Sequence, residues 1–185
     1  MHNNLTVNFS APQKSIENDG LSTWMWVGSY RVPIVTLTGS LQQDVLFIDK
    51  ILGAGEIALS DHRSSWPSKG DLIQLITDAS VSGMLSGKIG IVHFHVGSAP
   101  TKLDLLWEIL NETTISIRHM YPTHMTIRGE ELIDEARKWI LAGGTCDFTA
   151  DLEQLNETAT VVTLTNFRDE KLPLQHITVS SDAYG

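Results

Sequence analysis

Strand-like runs that restart about every thirty residues, the length of one βα unit, set the tightest limit on what this chain can fold into. Runs at 54–60, 89–95, 117–121, 145–149 and 177–181 follow an earlier one at 23–28, and from 54 onward helix-patterned sequence fills the intervals. Leu72, Leu75, Ile76 and Ala79 fall at helical spacing, as do Leu103, Leu106, Trp107 and Leu110, and then Leu132, Ala136, Trp139 and Ile140. Each set forms one apolar stripe, the mark of a helix with one side against a core. Gly87 and Gly143-Gly144 suit helix stops. Alternating strands and helices imply a parallel sheet with helices packed outside it, so an α/β fold is predicted. Two segments stay open. Residues 34–38 fit a strand or an extended loop. The helix expected between 153 and 170 contains T-A-T-V-V-T-L-T, whose β-branched residues also suit a strand.

The stretch G-E-I-A-L-S-D-H-R, residues 55–63, concentrates the chemistry. Strand alternation puts Glu56, Ala58, Ser60 and His62 on one face and Ile57 and Leu59 on the other. A small or polar face opposite a branched apolar one suits a strand lining a barrel beneath covering helices. Such barrels keep their chemistry at the C-terminal strand ends, where this strand delivers Asp61, His62 and Arg63. His95 ends another run, His124 follows the next, and Asp182 ends the last. Imidazoles and carboxylates converging at strand ends are what a divalent-metal hydrolase needs. Taken singly, each histidine reads more readily as a packed or solvated residue than as a ligand, and Asp182 also reads as a helix cap. Glu56 reads as a metal ligand or as an interior carboxylate paired with a cation such as Arg63, because a buried unpaired carboxylate is costly.

The 185-residue chain has room for one ordinary domain. A net charge of −9, with lysine and arginine scattered, disfavours nucleic acid and anionic membranes as partners. No apolar run has the length to span a bilayer, and the first residues lack the basic start and apolar core of a signal peptide. A lone cysteine, Cys146, cannot form an internal disulfide, fits a reducing cytoplasm and reads as a packed strand residue.

The segment G-E-I-A-L-S-D-H-R-S at 55–64 resembles the isoaspartyl (β-aspartyl) dipeptidases, zinc metallopeptidases of the amidohydrolase superfamily (peptidase family M38). G-S-Y-R-V-P at 28–33, T-L-T-G-S at 36–40, F-H-V-G at 94–97, Y-P-T-H at 121–124, G-G-T-C-D at 143–147 and S-S-D at 180–182 occur in family order. The resemblance therefore runs from about Gly20 to the end of the chain. It implies a partial TIM (β/α)8 barrel of about six βα units, strands three to eight, without the first two strands and the β-sandwich domain. The chain then reads as an internal fragment, with 1–20 as a helical lead-in and 21–185 as the partial barrel.

The same resemblance implies zinc-dependent hydrolysis of the isopeptide bond in β-aspartyl dipeptides by a metal-activated hydroxide. It implies two zinc ions per complete enzyme and a homo-oligomer. His95 and His124 match ligands of the second zinc. Asp182 matches a zinc ligand that also works as general acid and base, and Tyr30 matches the tyrosine that contacts substrate and steadies the oxyanion. Arg63 and Arg128 match arginines that bind substrate carboxylates, although Arg128 comes one residue later than the family's P-T-H-x-x-R. Glu56 stands where most members have a carbamylated lysine bridging the metals, so its shorter stem implies metals nearer this strand or one held weakly. His93 forms an H-x-H with His95, but on this strand only His95 matches a ligand, and His93 is taken as interior packing. Three other readings stay in view: an amidohydrolase acting on cyclic amides or N-acyl groups, a non-catalytic metal-binding remnant, and a βα protein binding phosphate or sugar. The last lacks a Gly-rich phosphate loop.

Overall fold

The computed structural model describes residues 20–126, 128–150 and 159–182, so the lead-in expected over 1–20 lies outside the described residues apart from Gly20. Strands and helices alternate: β1 Met25–Val27, α1 Leu41–Phe47, β2 Ile51–Leu59, α2 Lys69–Ser86, β3 Ile91–Val96, α3 Asp104–Glu112, β4 Met120–Thr123, α4 Glu130–Leu141, β5 Cys146–Thr149, α5 Ala159–Asp169 and β6 Ile177–Ser180. Every strand pairing is parallel, and within each sheet the strands lie in sequence order. This is the α/β architecture that the alternating pattern predicts.

One expectation is corrected. Among the described residues the strands form not a single six-stranded arc but two sheets, β1-β2-β3-β4 and β5-β6. Strand β4 is only four residues long, and His124, directly after it, takes a left-handed φ of 66° that turns the chain off the ladder. The two sheets still meet: the Met125 N–H donates to the Asp147 carbonyl at 3.2 Å.

Helix α2 shows why these sequences form these elements. Ser68 accepts from the Asp71 N–H while the Asp71 carboxylate accepts from the Ser68 N–H, a capping box that starts the helix. Gly87, at φ 71°, stops it in the left-handed conformation that glycine adopts without strain. Its stripe Leu72, Leu75, Ile76 and Ala79 is buried. Leu106 and Ile109 on α3, and Leu132, Ala136, Trp139 and Ile140 on α4, are buried in the same core. They meet Ile57, Val92, Phe94, Val96 and Phe148, which are fully buried strand residues of that core.

Helix α1 carries no stripe long enough to be expected from sequence. It exists because its ends are tied. Ser40 caps its start, and the buried Asp44 carboxylate accepts from the N–H groups of Leu37 and Thr38 at 2.8 and 2.7 Å. Residues 34–38 are accordingly loop. Lys88 Nζ donates to the Val45 and Ile48 carbonyls at 2.6 and 2.8 Å, satisfying acceptors that a helix end leaves open. The β-branched segment near the C-terminus is helical over Ala159–Asp169, with Thr160, Thr163 and Phe167 buried; residues 151–158 lie outside the described residues. Tertiary packing of Phe167 against Phe148, ring centroids 5.8 Å apart, outweighs local propensity there. Among the described residues no helix is long and apolar enough to cross a membrane.

The core assignment is testable by denaturant unfolding. Ile76→Ala is expected to lower stability by about 2–5 kcal/mol, whereas Met84→Ala, at a position 73% exposed, is expected to stay within about 0.5 kcal/mol.

Candidate functional site

The parallel register places Ala58 of β2 beside His95 of β3, and His95 beside Thr123 of β4. Glu56, two residues before Ala58, shares their face. His124 follows Thr123, and its left-handed backbone swings the imidazole back over the same hollow. Glu56 Oε2 lies 3.2 Å from His95 Nδ1, His95 Nδ1 lies 2.9 Å from His124 Nε2, and His124 Nε2 lies 3.7 Å from Glu56 Oε1. Both imidazoles are buried. On its far side, His124 Nδ1 is 2.7 Å from the Thr149 hydroxyl of β5, which fixes the ring. Burial alone would push the Glu56 carboxyl up, but its bonds to His124 and His95 outweigh this and hold it well below the usual carboxylate range. Glu56 is therefore an anion at neutral pH.

One donor atom from each of Glu56, His95 and His124 lies within 4.8 Å of the others, the grouping a metal ion requires. Ligands about 2 Å from a shared cation sit at most about 4 Å apart, and the three separations above fall within that limit. Two imidazoles and a carboxylate suit zinc or a similar first-row divalent ion rather than calcium or magnesium.

A second, charge-paired group adjoins the first. Asp61, whose side chain is 2% exposed, accepts from Arg63 Nε at 2.8 Å, from Arg63 Nη2 at 3.1 Å and from the Arg63 backbone N–H at 2.8 Å. These bonds hold the Asp61 carboxyl well below the usual carboxylate range and raise the Arg63 guanidinium. Arg63 Nη2 also contacts His95 Nε2. Strict alternation fails here. Ser60, at φ 52°, ends the strand and bonds its hydroxyl to Thr101 and the Lys102 carbonyl, away from Glu56, while Asp61 turns to the His95 side. Gly97 makes room for this: a Cβ there would come within 2.5 Å of Asp61 Cα and 2.2 Å of the Ser60 carbonyl.

The other sequence candidates fall around these groups. Tyr30 bridges to β2 through its carbonyl, which accepts the Ala58 N–H at 2.9 Å. Its ring stands 5.3 Å from that of His95, and the Arg63 guanidinium lies 4.8 Å over it. Burial, and then the Glu56 charge, push the Tyr30 hydroxyl upward, so it stays protonated. Arg128 reaches to 3.5 Å from His95 Nε2, and its buried Nε has no hydrogen-bond partner. Asp182 does not join the three-residue group; it is exposed, at φ 48°, on the last described residue.

Of the remaining histidines, His93 is packed between Trp26 and Tyr121, with both ring nitrogens unpartnered and its pKa lowered by burial. His62 is exposed, and His119 bonds the Gly90 carbonyl.

Sequence reasoning missed Asp147. Its buried carboxylate accepts from the hydroxyls of Thr123, Thr178 and Ser180 at 2.7, 2.7 and 2.6 Å and from Tyr121 at 3.4 Å. It thereby ties β4 to β6 across β5. Burial pushes the Tyr121 hydroxyl up to about 12. The sequence held two signals, a polar residue inside a buried strand and its place at the end of the G-G-T-C-D motif at 143–147, but neither gave it a role.

No family model matches the chain. Among solved structures, the chain is similar to the β-aspartyl dipeptidase of the keratin-degrading thermophile Fervidobacterium islandicum AW-1 in complex with the β-Asp-Leu dipeptide, at 44% identity and a TM-score of 0.89. A second structure of that organism's β-aspartyl dipeptidase matches at 43% identity with the same TM-score. Both alignments cover 96% of this chain and 47% of the other, so the chain spans about half the length of these relatives. The phosphotriesterase homology protein of Escherichia coli, solved with phosphate in its active site, matches at 17% identity and a TM-score of 0.67 over 95% of this chain and 63% of that one. At that identity the likeness speaks for the fold alone.

Two results are expected. Gly97→Ala pushes Asp61 out of position and lowers the melting temperature, read by calorimetry; an unchanged melting temperature would contradict the close approach. Burial raises the Cys146 thiol strongly, so a thiol reagent at pH 8 is expected to leave it unmodified until denaturant is added.

Proposed function

We propose, from the premise that this chain is a relative of the β-aspartyl dipeptidases spanning about half of such a protein, that it hydrolyses the isopeptide bond of β-aspartyl dipeptides with zinc held by Glu56, His95 and His124. The observation that carries the proposal is the convergence of those three side chains, from within β2, near the end of β3 and just past β4, to within 4.8 Å of one another. The relative's complex with β-Asp-Leu supports a dipeptide as substrate here. In this reading the six strands correspond to strands three to eight of a (β/α)8 barrel, and the likeness to the phosphotriesterase homology protein supports that topology. The complete protein binds two zinc ions and assembles as a homo-oligomer, and the single buried Cys146 fits a cytoplasmic setting.

Zinc, when bound, supplies a water acidic enough to act as a nucleophile near neutral pH. The chain's own residues supply the rest. Anionic Glu56 offsets the charge of the cation. Arg63 and Arg128, both reaching the outer nitrogen of His95, present two positive charges beside the metal ligands, where they bind the carboxylates of a β-aspartyl dipeptide. The protonated Tyr30 hydroxyl donates to the scissile carbonyl oxygen as negative charge develops on it. Asp182 accepts the proton of the attacking water and returns it to the leaving amine. Glu56 in place of a carbamylated lysine keeps an anionic oxygen pair at this strand on a shorter stem.

The test compares β-Asp-Leu with hydantoin and N-acyl substrates, alongside metal analysis. Cleavage of β-Asp-Leu alone, zinc in the purified protein, and a loss of at least about 100-fold in Glu56→Gln and His124→Ala are expected. Cleavage of the other substrates without β-Asp-Leu, or full activity in both variants, would overturn the assignment.

A further inference from the structure

Asp61 has no role in the chemistry described above, yet it is an almost fully buried carboxylate beside it. Its side chain is 2% exposed, against 39% for the Arg63 it grips. Both oxygens are committed to that arginine: Oδ1 takes Nε and the backbone N–H, and Oδ2 takes Nη2. The turn is further closed by the Ser64 N–H on the Asp61 carbonyl at 3.1 Å. The guanidinium is thus held along one edge, with the Tyr30 ring 4.8 Å from its central carbon and the Nη1 group left unbonded by Asp61.

Asp61 is on the wrong side of His95 to share a metal with Glu56 and His124. Those two face Nδ1 of the ring, whereas Asp61 Oδ2 lies 3.4 Å from Nε2. We propose that Asp61 is a positioning residue: its buried carboxylate holds the Arg63 guanidinium edge-on beside the Glu56–His95–His124 group, so that the Nη1 group, which Asp61 leaves unbonded, is set in advance to take one carboxylate of the substrate. This rests on the dipeptidase reading above. Immobilising a side chain as mobile as arginine costs binding up to about 1.5 kcal/mol, equivalent to about tenfold in affinity. Asp61 meets that cost when the chain folds.

The test uses the full-length protein and Asp61→Asn, assayed with β-Asp-Leu and with two analogues, each having one carboxylate replaced by a carboxamide. Asp61→Asn is expected to raise KM for β-Asp-Leu about tenfold, to leave kcat within about twofold, and to retain wild-type zinc content. With the analogue lacking the carboxylate that Arg63 grips, the two proteins are expected to share one KM. An equal Asp61→Asn penalty on both analogues, an unchanged KM for β-Asp-Leu, or loss of zinc would overturn the proposal; the last would make Asp61 a ligand. If Asp61→Asn does not fold, the Arg63 Nε–H resonance of the wild type decides: protection from solvent exchange supports the grip and rapid exchange refutes it. That resonance also separates the two readings, because a wild type inert toward β-Asp-Leu would sink the dipeptidase assignment while leaving the grip on Arg63 to be read directly.

Discussion

The parallel register of β2, β3 and β4 is the constraint on which the site depends. It sets Ala58, His95 and Thr123 at one level, with Glu56 just below on the same face and His124 just beyond. A slip of one residue would turn every one of these side chains into the helical layer. The register is held from outside. Ile57, Val92, Phe94 and Val96 are fully buried in the core shared with α2, α3 and α4, so the ionisable residues are left facing the hollow. The apolar stripes of the helices and the chemistry of the strand ends are two consequences of one packing arrangement.

Burying so many charges side by side is tolerable only because each has a partner. Glu56 is matched by two imidazoles, Asp61 by a guanidinium, and Asp147 by four hydroxyls from β4 and β6. Removing one member of such a set exposes the full desolvation cost of the other. The Asp147 hub also takes over work that backbone ladders do elsewhere, because β4 and β5 share no ladder among the described residues. Its hydroxyl donors pull the two sheets together just below His124 and Thr149, the pair that orients the second imidazole.

Much of this was legible in the sequence, for definite reasons. Helix stripes such as Leu72–Leu75–Ile76–Ala79 repeat at 3.6 residues and bury as that period requires. His95 and His124 sit at strand ends and Glu56 three residues before the end of β2 on the same side, and the βα repeat alone brings these strand ends together. What escaped depends on contacts distant in sequence. Helix α1 is secured by Lys88, about forty residues away, and no local pattern announces that. Ser60 was assigned to the face of Glu56 by alternation, but its positive φ breaks the period one residue before Asp61. The β-branched run at 159–165 became helix because Phe167 fits against Phe148. Between β4 and β5 one backbone bond, from the Met125 N–H to the Asp147 carbonyl, and the side chains on Asp147 stand in for a ladder, so a continuous six-stranded sheet was expected and two sheets resulted.

The central claim is that one cation is gripped by side chains from three neighbouring strands. Anomalous diffraction at the zinc absorption edge, on crystals grown with zinc, tests it most directly. The account requires a peak within bonding distance, about 2.0–2.2 Å, of a Glu56 carboxylate oxygen and of one nitrogen each from His95 and His124. No peak there, with zinc bound elsewhere on the chain, would contradict it.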